Sequence, residues 1–201
     1  MLVEGEVLHQ RVSHALLESA LHLAFRARGY KSKGENPGFT YFGGNSELRG
    51  YDYLSFIGQN AFHANAELRF PLIDAMATPI GVLGGVRATV FAGVGAAYFE
   101  GQPFRLYRRD TTLETPAIGF DNTTQQITYG PAQAVSGLRL VDGRASYGLG
   151  LETFALGFPI HFDWSWRTLF NKDWEDVLYA ADGGSSKFRK PRFAMWIGYD
   201  F

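Results

Sequence analysis

The feature that most constrains this chain is a two-residue alternation of apolar and polar side chains over segments of about ten residues. From Leu21, one set reads Leu21, Leu23, Phe25 and Ala27, and the other His22, Ala24, Arg26 and Arg28. Further on, Phe62, Ala64, Ala66, Leu68 and Phe70 oppose His63, Asn65, Glu67 and Arg69. Near the C-terminus, Ile160, Phe162, Trp164 and Trp166 oppose His161, Asp163, Ser165 and Arg167. Successive side chains of a strand point to opposite faces, so each segment reads as a β-strand with one apolar and one polar face.

A soluble antiparallel sheet and a transmembrane barrel both show this period. Two features favour the barrel. Large aromatics stand at strand ends (Phe70, Trp164, Trp166, Phe170, Tyr199, Phe201), as in interfacial girdles. Connections also alternate in length: short near 15–18, 73–80 and 157–159, long over 31–58, 100–142 and 171–186. Outer-membrane barrels have short periplasmic turns and longer external loops. The run Gly81 to Phe99 is long and nearly uncharged, but its five glycines and Arg87 weigh against a lipid-exposed helix.

The expectation is an all-β fold, an antiparallel transmembrane β-barrel. Its strands are expected near 4–14, 19–30, 58–71, 82–98, 140–156, 158–170 and 187–201. Seven is an odd number, single-chain bacterial barrels are even, and unpaired strand edges are not tolerated in lipid. An eighth strand, strands outside this chain or a second copy are therefore expected to close it. Residues 1–201 read as one barrel domain or part of one, with long loops at 31–58 and 99–143. The second loop is rich in Thr, Gln and Asn and reads as a solvated external loop.

Composition agrees. Aromatics are 15% of residues, glycines number 24, and 19% are charged, against roughly 25% in an ordinary soluble domain. A net charge of −1 gives no global attraction to nucleic acid. The lack of Cys excludes thiolate metal sites and disulfides. Met1–Glu6 shows neither the basic nor the apolar region of an export signal, so a mature part or a fragment is expected.

A search for chemistry is negative. His161, Asp163 and Ser165 share a strand face, but successive members lie about 7 Å apart, beyond the hydrogen-bond reach of a triad. No His-x-x-x-His or carboxylate cluster points to a metal. Gly148 and Gly150 alternate within a strand, where they relieve crowding rather than cradle phosphate. No catalytic residue, metal or cofactor is expected, and the chain reads as no enzyme.

A more specific signal is the segment Gly43-Gly44-Asn45-Ser46-Glu47-Leu48-Arg49-Gly50-Tyr51, followed by Asn65-Ala66-Glu67-Leu68-Arg69-Phe70-Pro71-Leu72. It resembles the barrel of the BamA-type bacterial surface antigen family. The resemblance continues through Val90-Phe91, Tyr147–Leu151 and the terminal Phe201, and covers roughly residues 20–201. It implies that the chain is the C-terminal part of a barrel of about sixteen strands. The loop over 31–58 would then turn into the lumen, with Arg49, Gly50 and Tyr51 as its anchor and Glu67 receiving Arg49. Where that family carries a second acid on the next strand, this chain has Gly93, so the anchor is expected either to be weaker, held by Glu67 alone, or to use another group.

Arg26, Arg28, His63, Arg69, Asp163 and Arg167 are expected to face the lumen, and Phe62, Phe70, Ile160, Phe162 and Trp164 to face lipid. Phe193, Met195, Ile197, Tyr199 and Phe201 share one face and resemble the terminal signal that assembly machinery reads by strand addition. The implied role is outer-membrane protein assembly or protein translocation, with the C-terminus periplasmic. The alternative is a passive anchor or pore domain of a larger protein whose soluble N-terminal domain carries the activity. Expected partners are outer-membrane lipid, N-terminal barrel strands or a second copy, and the assembly machinery, with no nucleic acid.

Overall fold

The computed structural model describes residues 21–79, 81–155 and 157–198. In chain order come β1 (His22–Lys31), β2 (Thr40–Phe42), β3 (Phe56–Gly58), β4 (Asn60–Thr78) and β5 (Gly81–Tyr98). A run of short strands follows: β6 (Tyr107–Arg108), β7 (Thr112–Glu114), β8 (Ala117–Asp121), β9 (Gln126–Tyr129), β10 (Gln133–Val135) and β11 (Arg139–Leu140). The chain then runs through β12 (Arg144–Ala155), β13 (Phe158–Thr168), α1 (Lys172–Leu178), a 3₁₀ turn, α2 (Gly184–Phe188) and β14 (Arg192–Ile197).

The six long strands form one antiparallel sheet in the order β1-β4-β5-β12-β13-β14. The expected strand at 4–14 lies outside the described residues. The segment 82–98 is strand, and among the described residues helix is confined to the connection before β14. The β4–β5 hairpin is tighter than the expected 73–80 connection, because β4 runs on to Thr78. The ladder shifts register between Pro71 and Ile73. Proline has no N–H to give a ladder, and a bulge is where a strand tolerates one. The last strand starts at Arg192 rather than 187, since Gly184–Phe188 is helical.

Register sorts the side chains into two faces. Across one run Glu67, Phe91, Gly148 and Ser165; beside them lie Asn65, Gly93, Ser146, Arg167 and Thr89, Gly150, Asp163, Ala194. Across the other run Leu23, Leu68, Val90, Leu149, Trp164 and Phe193. The burial is inverted relative to a soluble sheet. His63, Glu67, Thr89, Ser146, Glu152, His161, Asp163 and Ser165 are buried, while Leu23, Phe25, Val90, Leu149, Phe193, Met195 and Ile197 are exposed.

The 99–143 connection differs from a simple solvated loop. It doubles back on itself, pairing β6 with β11, β7 with β10, and β8 with β9. Arg139 is fully buried there, donating to the Asp110 carbonyl at 2.7 Å and to Thr112 Oγ1 at 2.8 Å. Beside it the α1–α2 connection packs Leu140, Ala145, Leu169 and Phe188 against Trp174 and Tyr179. Buried Glu175 ties this piece together, accepting from Leu169 N at 2.7 Å and from the Arg189 guanidinium.

Candidate functional site: a loop strapped across the polar face

Between β2 and β3 the chain folds back onto the polar face and crosses it as a strap. Its shape is set locally. Gly44 and Gly50 adopt φ of +96° and +86°, a region that residues with a Cβ rarely enter. Leu48 N donates to the Gly44 carbonyl at 3.0 Å, and Gly43 N to Glu47 Oε2 at 2.8 Å. Apolar contacts seat the strap: Phe42 and Leu48 are buried against Ala61, with Tyr51 and Phe56 packed alongside. Gly50 lies over β13, where a Cβ would stand 3.0 Å from that of Ser165.

Arg49 is the strap's deepest charge. Its Nη2 donates to Glu67 Oε1 at 2.7 Å, and the other Glu67 oxygen receives Arg69 at 2.9 and 2.6 Å. Its Nε lies 3.5 Å from Asp163 Oδ2, and its guanidinium sits 4.3 Å above the Phe91 ring. The Arg49, Glu67 and Asp163 side chains are 7, 4 and 3% exposed. An ion pair this dry requires good geometry and further hydrogen bonds to offset desolvation, and the shared carboxylates supply both.

Asp163 supplies the second carboxylate from β13, two ladders away from the strand where one was sought. An acid at Gly93 would have to displace two side chains, because a Cβ there would clash with Asn65 Oδ1 and approach Leu48 Cδ1 to 3.1 Å. Asn65 is in turn committed, donating to the Glu47 carbonyl at 2.7 Å.

The other named residues fall as follows. Arg26 and Arg28 lie on the polar side of β1, opposite Asn65 and His63, and Arg28 is 3.8 Å from Glu47. His63 is buried and stacks on Phe42 with ring centres 5.5 Å apart. Arg167 donates to the Phe188 carbonyl at 3.2 Å and lies 4.7 Å over that ring. Tyr51 donates to the Ala145 carbonyl at 3.2 Å, and burial, reinforced by Tyr179, pushes its phenol well above the ordinary range. Phe193, Met195 and Ile197 share the exposed apolar face of β14, whereas Tyr199 and Phe201 lie outside the described residues. Two residues escaped the sequence reading: Arg192, which donates to Asp52 at 2.6 Å, and Trp196, which donates to Asp163 at 2.8 Å. Their place on the polar alternation of the last strand was the available signal.

An antiparallel sheet that exposes its aliphatic and aromatic side chains, buries its charges and seats a loop through an arginine defines a class of membrane-barrel wall. The Omp85 superfamily domain matches residues 24–201, and the chain belongs to that superfamily, whose members are outer-membrane proteins of Gram-negative bacteria. No curated protein and no solved structure matches the chain.

Proposed function

We propose that this chain forms part of an outer-membrane β-barrel that assembles outer-membrane proteins or moves proteins across that membrane. The observation that carries the proposal is the strap, with Arg49 held in a dry site between carboxylates on two well-separated strands. Ordering a long loop against a sheet opposes conformational entropy at each residue fixed.

In this reading the exposed apolar face meets lipid and the polar face lines the lumen, with the C-terminus in the periplasm. The sheet edges at β1 and β14 join further strands, from elsewhere in the barrel or from a second copy. Phe193, Met195 and Ile197 would present the signal that assembly machinery reads. The chain's own residues carry no catalysis; the work is positioning and strand pairing.

The test is depletion in the native host with quantitative proteomics of the outer membrane and of secreted proteins. Broad loss of other barrels, or retention of a secreted client, is the expected result. An unchanged outer-membrane and secreted proteome would instead favour the passive anchor.

A further inference from the structure

We propose that the strap and β14 form one conformational unit, so that the strap stays seated only while β14 is paired on β13. The inference rests on the contacts themselves and does not depend on the assembly reading.

Among the described residues β14 is paired on one edge, to β13, over six register positions from Ile160↔Ile197 to Ser165↔Arg192. Its polar alternation places Arg192, Ala194 and Trp196 toward the strap, and two of the three engage the anchor. Arg192 Nη1 donates to the Gly50 carbonyl at 3.1 Å, and Nη2 to Asp52 Oδ1 at 2.6 Å. These bonds bridge a cavity of about 450 Å³ between the strap and β14, lined in part by Asn45, Tyr53 and Ser165. The join is thus made by polar clamps rather than close packing, which lets it break and re-form without repacking a core.

Trp196 engages the anchor through Asp163. Its Nε1 donates at 2.8 Å to Asp163 Oδ2, the oxygen that faces Arg49 Nε at 3.5 Å. The Trp196 ring also lies 6.0 Å from the Arg49 guanidinium and stacks on His161 at 3.8 Å. If β14 leaves β13, Trp196 leaves Asp163 and Arg192 leaves Gly50 and Asp52 together. If the strap lifts, β14 loses both Arg192 bonds and Asp163 loses Arg49, which leaves β14 the ladder and the Trp196–Asp163 bond. The Arg192–Asp52 pair is exposed and contributes little alone. The coupling comes from joining it to the buried Asp163 node, and such coupling is reciprocal.

The test uses hydrogen exchange on the full protein in outer-membrane vesicles, read peptide by peptide. Arg49→Met is expected to raise exchange over 192–197 about tenfold through local opening. Exchange over 23–29 of β1 should not move. In the reverse direction, Arg192→Ala is expected to speed proteolysis within residues 44–53, with partial rescue by Arg192→Lys. A disulfide between Phe162→Cys and Met195→Cys, register partners on the apolar face, should cancel the effect of Arg49→Met on β14. Unchanged exchange over 192–197 in Arg49→Met would overturn the inference. So would an equal rise over 23–29, which would mean general destabilisation, or a disulfide that cancels nothing.

Discussion

Removing the acid and removing the base of the strap anchor should have unequal consequences, and the geometry fixes which is worse. Glu67 accepts three short bonds, one from Arg49 at 2.7 Å and two from Arg69 at 2.9 and 2.6 Å. Glu67→Gln removes the charge that holds both guanidinium groups. Breaking a buried ion pair from one side costs about 3–5 kcal/mol. Arg69 is 21% exposed and regains some solvation, so the lower end, about 3 kcal/mol, applies. Arg49→Met leaves Glu67 with both bonds from Arg69 and Asp163 with its bond from Trp196. Its loss is the charge-assisted bond to Glu67, the Nε bond to the Asn45 carbonyl at 3.1 Å, the longer Asp163 contact and the ring contact. That loss is smaller because the acid shared with Arg69 stays in place. Urea unfolding in detergent micelles, scored with strap proteolysis on the same samples, separates the two. Glu67→Gln is expected to lower the unfolding midpoint more, while Arg49→Met frees the strap out of proportion to its stability loss. The double variant should be about as stable as Glu67→Gln, because contacting residues are not additive. Equal unfolding midpoints for the two single variants, or a strap that stays protected in Arg49→Met, would refute the reasoning.

Four further outcomes follow from the same geometry. Gly93→Asp, which restores the acid expected there by resemblance, should loosen the strap by displacing Asn65 and Leu48; faster cleavage between residues 44 and 53 would show it. Leu149→Arg, at a 52% exposed site on the apolar face, should cost about 2–4 kcal/mol near mid-membrane and reduce the folded fraction in membrane extracts. Ser165→Arg, benign by face alone, should also be harmful because Ser165 is buried beneath Gly50. Finally, Asp52 sits below the ordinary aspartate range because Arg192 hydrogen-bonds its charged form. A depressed acid contributes above its unfolded value, about 3.9, and loses that contribution as pH falls through the lower folded one. Strap-tip protection measured by exchange should therefore be flat from neutral to about pH 4 and fall only below it, with no such acid step in Arg192→Ala.

The alternation made the sheet legible because a strand's side-chain period is a local property. Leu23, Leu68, Val90, Leu149 and Trp164 share a face for reasons that each strand states on its own. The strap's second acid was not legible, since Asp163 meets Arg49 through strand order and register, 114 positions along the chain. Arg192 and Asp52, 140 positions apart, were hidden in the same way. Helix α1 does carry a local signal at its start. Asn171 caps it, accepting from Trp174 N at 3.0 Å, with Asp173 and Glu175 in the first turn, a pattern that marks a helix start. The doubled-back pairs over 99–143 have strands of two to five residues, too short to show any period.

The glycines of the polar face explain why the second acid of the anchor stands on β13 and not on β5. Gly95 receives the Phe42 ring, and a Cβ there would come within 2.8 Å of it. Gly93 makes room for Leu48 and Asn65, Gly148 lies under the Phe91 ring, and Gly150 faces the Asp163 carboxylate. Each missing Cβ lets a bulky group lie flat, and together they let the strap approach the sheet closely. An acid on β5 would occupy space the strap needs. An acid on β13 reaches Arg49 from the far side, past Gly150, without entering it. Asp163 also touches β14 through Trp196, which the Gly93 position does not. A second carboxylate on β13 instead of β5 therefore keeps Arg49 neutralised and brings the last strand of the sheet into contact with the anchor.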